Sequence, residues 1–174
     1  MLVALPPNLD DSVAMTWLRK RGAATIGALL LAAVASACAG PPPPPPTVVK
    51  LKITASADVN ATQSGQGAPV IVRVYQLGSS AGFEKGEFFR LMNADAATLG
   101  TDIVKKDEYL IAPGTTKEET LTLPDTVKAV GFFAAYREFQ RVTWRATVAP
   151  EAHKTTPVAV TVNASGLSAA AAAP

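Results

Sequence analysis

The chain has 174 residues, a formal net charge of +2, one cysteine and one histidine. A charge so close to zero leaves no basic footprint for nucleic acid, and a lone cysteine excludes an internal disulfide. A single histidine leaves too few groups for a protein zinc site or an imidazole-activated nucleophile. The length suits one domain with tails. Part of the 48% hydrophobic content comes from alanine-rich segments at residues 22–37 and 169–173, which do not read as globular core.

Residues 1–37 read as a leader. Arg19, Lys20 and Arg21 form a positive cluster, and an uncharged run over residues 22–37 follows, centred on Leu29, Leu30 and Leu31. The run closes on the small residues Ala35, Ser36 and Ala37, immediately before Cys38. This is the order of a secretory signal, and the run is shorter than the roughly 20 residues a spanning helix needs. Residues 1–14, with Pro6, Pro7, Asp10 and Asp11, fit such a leader poorly; the leader reads better from Met15. Ala-Ser-Ala-Cys resembles the lipobox of bacterial lipoproteins, with Ala35 in place of the usual Leu. The resemblance implies cleavage before Cys38, a covalent diacylglycerol and an N-acyl lipid on that cysteine, and no other cofactor. The alternative is ordinary secretory cleavage after Ala37, leaving a free thiol. Stable anchoring takes more than one acyl chain, and bacterial lipoproteins typically carry three. Ala39, rather than Asp, follows the cysteine, which favours the outer membrane.

Residues 38–47 form a linker. Six consecutive prolines, Pro41 to Pro46, cannot join a helix or a central strand. In polyproline II, at about 3.1 Å per residue, the run spans roughly 19 Å. It reads as a stiff spacer, with a ligand for a proline-binding domain as the alternative.

Residues 48–167 are patterned mostly with period two, the signature of strands. Val49, Leu51, Ile53, Ala55, Ala57 and Val59 alternate with polar residues, and Val70, Val72 and Val74 share a face opposite Ile71, Arg73, Tyr75 and Leu77. Short strands are expected at residues 109–111 and 120–123, each stopped by a turn signal, Pro113-Gly114 and Pro124-Asp125. Residues 129–136 are nearly all apolar, as in a central strand covered on both faces. Val142, Trp144, Ala146 and Val148, and then Val158, Val160 and Val162, alternate again. Seven to eight short strands with Gly, Pro and Asp turns predict an all-β fold, an antiparallel β-sandwich. Residues 80–93 break the pattern: Phe88, Leu91 and Met92 mark one helix face, Ser79 or Ser80 is placed to cap it, and Gly86 weakens it. This short helix is expected across an open end of the sandwich. The tail, residues 168–174, is expected to be disordered.

The search for chemistry is negative. Gly65-Gln66-Gly67 lacks the third glycine of a dinucleotide fingerprint and precedes a strand, where the fingerprint needs a helix. Ser64 lacks the spacing of a nucleophile elbow. Asp107-Glu108 and Glu118-Glu119 are adjacent pairs, and neighbours on a strand point to opposite faces. His153 lies in a polar turn, and Asp102 or Glu138 is placed to meet a basic residue across the sheet. No catalytic constellation forms, so the residues point to binding.

The ordered blocks carry a resemblance. Pro69-Val70-Ile71-Val72-Arg73-Val74-Tyr75-Gln76-Leu77 resembles the second-strand motif of the TssJ family, the outer-membrane lipoproteins of type VI secretion systems. The likeness continues through Phe83, Phe88 and Leu91, Leu99-Gly100, Ala112-Pro113-Gly114, the run from Val130 to Arg137, and Trp144-Arg145. It implies a transthyretin-like β-sandwich with a small helical insertion. It also implies a partner, the C-terminal periplasmic part of the inner-membrane protein TssM, and through it TssL. In the family the loop between the first two strands takes part in that contact. Here the loop comprises Asn60, Ala61, Thr62, Gln63, Ser64, Gly65, Gln66, Gly67 and Ala68, a composition that suits a mobile segment offering amide and backbone hydrogen bonds. The proline run and alanine-rich tail depart from the family. Two alternatives remain at this point. One is a lipoprotein binding a small molecule or polysaccharide. The other is a transthyretin-related hydrolase of a purine-derived ring, whose several histidines this chain lacks.

Overall fold

The computed structural model describes residues 42–172. The leader, Met15 and Cys38 lie outside the described residues, as do the final two. Eight strands form two four-stranded sheets. The first sheet has the order β4-β1-β7-β8, with β1 (Thr47–Ala55), β4 (Thr116–Leu123), β7 (Thr155–Asn163) and β8 (Gly166–Ala171). The second has the order β3-β2-β5-β6, with β2 (Val70–Leu77), β3 (Ile103–Ile111), β5 (Ala129–Ala134) and β6 (Arg145–Val148). Two helices, α1 (Ala81–Lys85) and α2 (Phe88–Leu99), lie between β2 and β3 in the chain.

Period-two patterning becomes burial directly. Val49, Leu51 and Ile53 of β1, Val70, Val72 and Val74 of β2, Phe132 of β5 and Val158, Val160 and Val162 of β7 meet between the sheets. Lys50, Lys52 and Thr54 of β1 remain exposed. β5 is buried at all six positions, as its unbroken apolar run predicts, because its far face is covered by the helices.

The structure corrects the sequence reading in four places. β1 and β7 pair in parallel, Leu51 opposite Val158, so the sandwich is not wholly antiparallel. The segment expected as a disordered tail forms β8, which pairs with β7 from Asn163–Gly166 out to Val158–Ala171; alanine contributes no pattern, yet its backbone completes the sheet edge. β3 and β4 extend well beyond the short strands expected, because each is an edge strand carrying charges such as Lys105, Lys106, Lys117 and Glu118, a common device against edge-to-edge association. Finally, the helical insertion is split at Gly86 and lies on the outer face of the second sheet, not across an open end: Phe83, Phe88, Leu91 and Leu99 pack on Tyr75, Leu77, Ala129 and Phe133.

Strand direction gives the sandwich two poles. The chain enters at Thr47, and β1 carries it to the opposite pole, roughly 30 Å away for nine residues. The β1–β2 loop, the β3–β4 turn, the β5–β6 loop and the β7–β8 turn all lie at this far pole, as the pairing registers require. The β4–β5 and β6–β7 connections lie at the entry pole. There the His153 N–H donates to Thr47 Oγ1 at 2.8 Å and the His153 ring approaches the Pro45 carbonyl at 3.0 Å. Residues 42–46 are exposed and lie in no helix or strand.

Candidate functional site

The β1–β2 loop is closed by its own hydrogen bonds. Ala68 N–H donates to the Val59 carbonyl at 2.9 Å, Thr62 N–H to Gln66 at 2.8 Å and Gly65 N–H to Thr62 at 2.9 Å. Gly67 permits the closure, since a Cβ there would stand 2.1 Å from the Ala57 carbonyl oxygen. Where composition pointed to a mobile connection, the backbone forms a folded projection. Gln63, Ser64, Gly65 and Gln66 are exposed at its tip, with Thr62 and Gly67 half-buried.

Asn60 differs from the others. It is buried, with a φ of 49°, a conformation asparagine tolerates better than most residues. Its Nδ2 donates to the Pro69 carbonyl at 3.0 Å, and its Oδ1 accepts the Arg137 N–H at 2.9 Å. The amide thus ties the β1–β2 loop to the β5–β6 loop and positions the site from beneath. Above that tie a groove of about 550 Å³ runs between Ala61, Thr62, Gln63 and Ser64 on one side and Arg137 and Glu138 on the other.

The motifs that carried the resemblance hold the helices. Arg73, on the outer face of β2, donates through Nη1 to the Leu91 and Met92 carbonyls at 3.0 and 2.8 Å. Ala94 is non-helical, so these carbonyls end a helical segment, and the guanidinium satisfies them as a cationic cap. Arg73 Nε also donates to Glu108 Oε2 at 2.7 Å. Asp95, buried beside it, accepts from Tyr75 Oη at 2.9 Å and Lys106 Nζ at 2.7 Å. Burial pushes the Asp95 carboxyl up, but hydrogen bonds from Lys106, Tyr75 and the Ala96 N–H outweigh it and hold the group below its ordinary value. Burial pushes the Tyr75 hydroxyl well above its ordinary range. Arg145 repeats the device: its Nη1 donates to the Phe83 carbonyl at 3.1 Å and to that of Gly86, closing α1. Its guanidinium lies 4.6 Å from the Trp144 ring centre. Sequence reasoning singled out Asp102 and Glu138 as ion-pair formers. Among the described residues Glu138 meets only Arg141, at 4.0 Å, and Asp102 forms no ion pair; the cross-strand pairs are Arg73–Glu108 and Lys52–Glu118. The signal available was an arginine and a tyrosine at alternate positions of a largely apolar strand.

Neither acidic pair converges on one point. Glu108 faces Arg73, while Asp107 contacts Lys105 at 3.2 Å; Glu118 meets Lys52 and Glu119 meets Lys117. Trp144 packs edge-on against Phe88 and Phe133, at centroid distances of 5.2 and 5.6 Å. It is partly buried, with the Arg145 guanidinium over its ring, and so presents no open face to stack a sugar. Among the described residues no cluster of three His, Cys, Asp or Glu forms a metal site, and no helix is long and apolar enough to cross a membrane.

Comparison with known proteins agrees with this architecture. The family model described as "Type VI secretion lipoprotein, VasD, EvfM, TssJ" matches residues 47–165. The type VI secretion lipoprotein TssJ1 from Pseudomonas aeruginosa is 32% identical with a TM-score of 0.72, over 75% of this chain and 99% of that one. Lip from Serratia marcescens, a membrane-bound component of the type VI secretion system, is 26% identical with a TM-score of 0.67, over 74% and 99%. A chain of a type VI membrane complex is 25% identical with a TM-score of 0.63, over 70% and 96%. A search of curated proteins returned no match. The family match runs from the first residue of β1 to the β7–β8 turn and takes in every strand but β8, and the chain therefore belongs to the TssJ family of type VI secretion lipoproteins.

Proposed function

We propose that this lipoprotein tethers the type VI membrane complex to the outer membrane, with the lipid on Cys38 as its anchor and the β1–β2 loop as its grip. As a member of this family it is a membrane-bound structural component and not an enzyme. The grip takes the C-terminal periplasmic part of TssM and so connects, through TssM and TssL, to the inner membrane. The observation that carries this reading is the polarity of the sandwich. The chain enters at one pole, and the projecting loop stands at the other, with Gln63, Ser64 and Gln66 exposed. A lipid and proline spacer before Thr47 then face the loop away from the membrane. Exposed amides and backbone groups on a hydrogen-bonded loop bind at low ordering cost. A similar chain found in a type VI membrane complex supports the placement.

The experiment is two-fold. Cys38→Ser is expected to move the protein out of the outer-membrane fraction and to abolish type VI secretion; wild-type secretion from that strain would overturn the anchor. Replacing Gln63, Ser64 and Gln66 by Ala in the mature lipoprotein is expected to weaken binding to the TssM periplasmic region at least tenfold without changing the melting temperature. Unchanged affinity would overturn the grip.

A further inference from the structure

We propose that the docking surface has a second, apolar half at the same pole, built on Phe89 and Phe139, and that it takes an apolar segment of the protein that engages the β1–β2 loop. The inference rests on the reading of that loop given above.

Among the described residues, three large hydrophobic side chains stand exposed: Phe89 at 60%, Leu110 at 72% and Val104. A single exposed apolar residue means little, but a contiguous group is informative. Phe89 is the second residue of α2. Its ring meets Phe139 edge-on at 5.0 Å, and Phe139 stacks on the buried Phe88 at 4.2 Å. Phe88 in turn packs on Phe133 and Trp144, so the exposed ring rests on a platform continuous with the core. Leu110 lies opposite Ile71 near the far-pole ends of β3 and β2. Val104 is the second residue of β3, at the entry pole.

Position links this group to the loop. Phe139 directly follows Arg137 and Glu138, which form one wall of the groove beside Thr62, Gln63 and Ser64. The Asn60–Arg137 hydrogen bond joins the two walls from below. The pole therefore presents an amide-rich projection, a groove with charged side chains and an aromatic shelf in one sweep. Buried aromatic anchors beside a polar rim are the arrangement of a protein-binding surface. The occupant follows from geometry. With the anchor of the proposed function before Thr47, this pole faces away from the lipid, and the shelf continues the groove beside the loop, so the protein that engages the loop also meets the shelf.

The test uses the full mature lipoprotein in detergent and the TssM periplasmic region. Phe89→Ser removes an exposed ring and should leave the melting temperature unchanged while weakening binding at least tenfold. A photo-crosslinking residue at position 89 should capture TssM, and the same residue at position 104 should not. If the Gln63, Ser64 and Gln66 alanine variant loses binding while Phe89→Ser binds as wild type, the apolar half is wrong and the loop reading stands. If Phe89→Ser loses binding and the loop variant does not, the shelf is upheld and the loop reading falls. If the wild-type protein does not bind TssM, both fall.

Discussion

The two faces of the β3-β2-β5-β6 sheet are buried by different means. Its inner face meets the other sheet through side chains such as Val70, Val72, Val74, Val130 and Phe132, with almost no polar group. Its outer face meets two short helices through aromatic rings, through Arg73 and Arg145, which reach helix-end carbonyls, and through Tyr75, which reaches Asp95 of α2. The inner face is a pattern problem, since any well-packed aliphatic set of suitable volume serves. The outer face is a satisfaction problem. Helices of five and twelve residues, the longer one kinked at Ala94, are too short to stand alone in water, and their broken ends leave carbonyls that need donors. The sheet supplies those donors, so the helical layer is held by specific hydrogen bonds as well as by area.

This contrast can be tested by breaking each face in turn. Phe132→Ala opens a cavity between the sheets and should cost about 3–5 kcal/mol in chemical denaturation, with the whole domain unfolding in one transition. Arg73→Ala leaves the Leu91 and Met92 carbonyls and the Glu108 carboxylate without their donor. It should cost about 2–4 kcal/mol, and hydrogen exchange should rise first in α1 and α2 while β1 and β7 stay protected. Equal acceleration throughout would show that the two faces are not separate in the way described. Tyr75→Phe deletes only the hydroxyl on Asp95 and should cost about 1 kcal/mol.

A smaller effect is expected from pH. The Asp95 carboxyl is depressed in the folded protein, so its contribution to stability is complete above the unfolded value of about 3.9. That contribution is lost as pH falls through the lower, folded value. Denaturation series across the acid range should therefore show a shallower acid loss for Asp95→Asn than for wild type. An identical slope would remove Asp95 from the account of how the helical layer is held.

The legibility of the chain follows the same division. Strands with one wet and one dry face, such as β1 and β7, announce themselves by alternation, and β5 by its unbroken apolar run. The charged edges of β3 and β4 hide strands, because an edge strand exposes enough surface to carry Lys and Glu at successive positions. The alanine tail hid β8, because a residue that is apolar but small carries no period. At the site, the amide-rich composition of the loop between the first two strands was visible. The role of Asn60 was not: its burial depends on Arg137, 77 positions away.

The sequence by itself determined the class of fold, the two-sided burial of β5 and the membership of a family, because local alternation and block order are properties of neighbouring residues. Tertiary structure alone decided the parallel β1–β7 pairing, the placement of the helices on the outer face and the gathering of the β1–β2 loop, Arg137, Phe139 and Phe89 at one pole. Those outcomes depend on which distant strands share hydrogen bonds and on which buried polar atoms must find partners, and neither condition is written within any single segment.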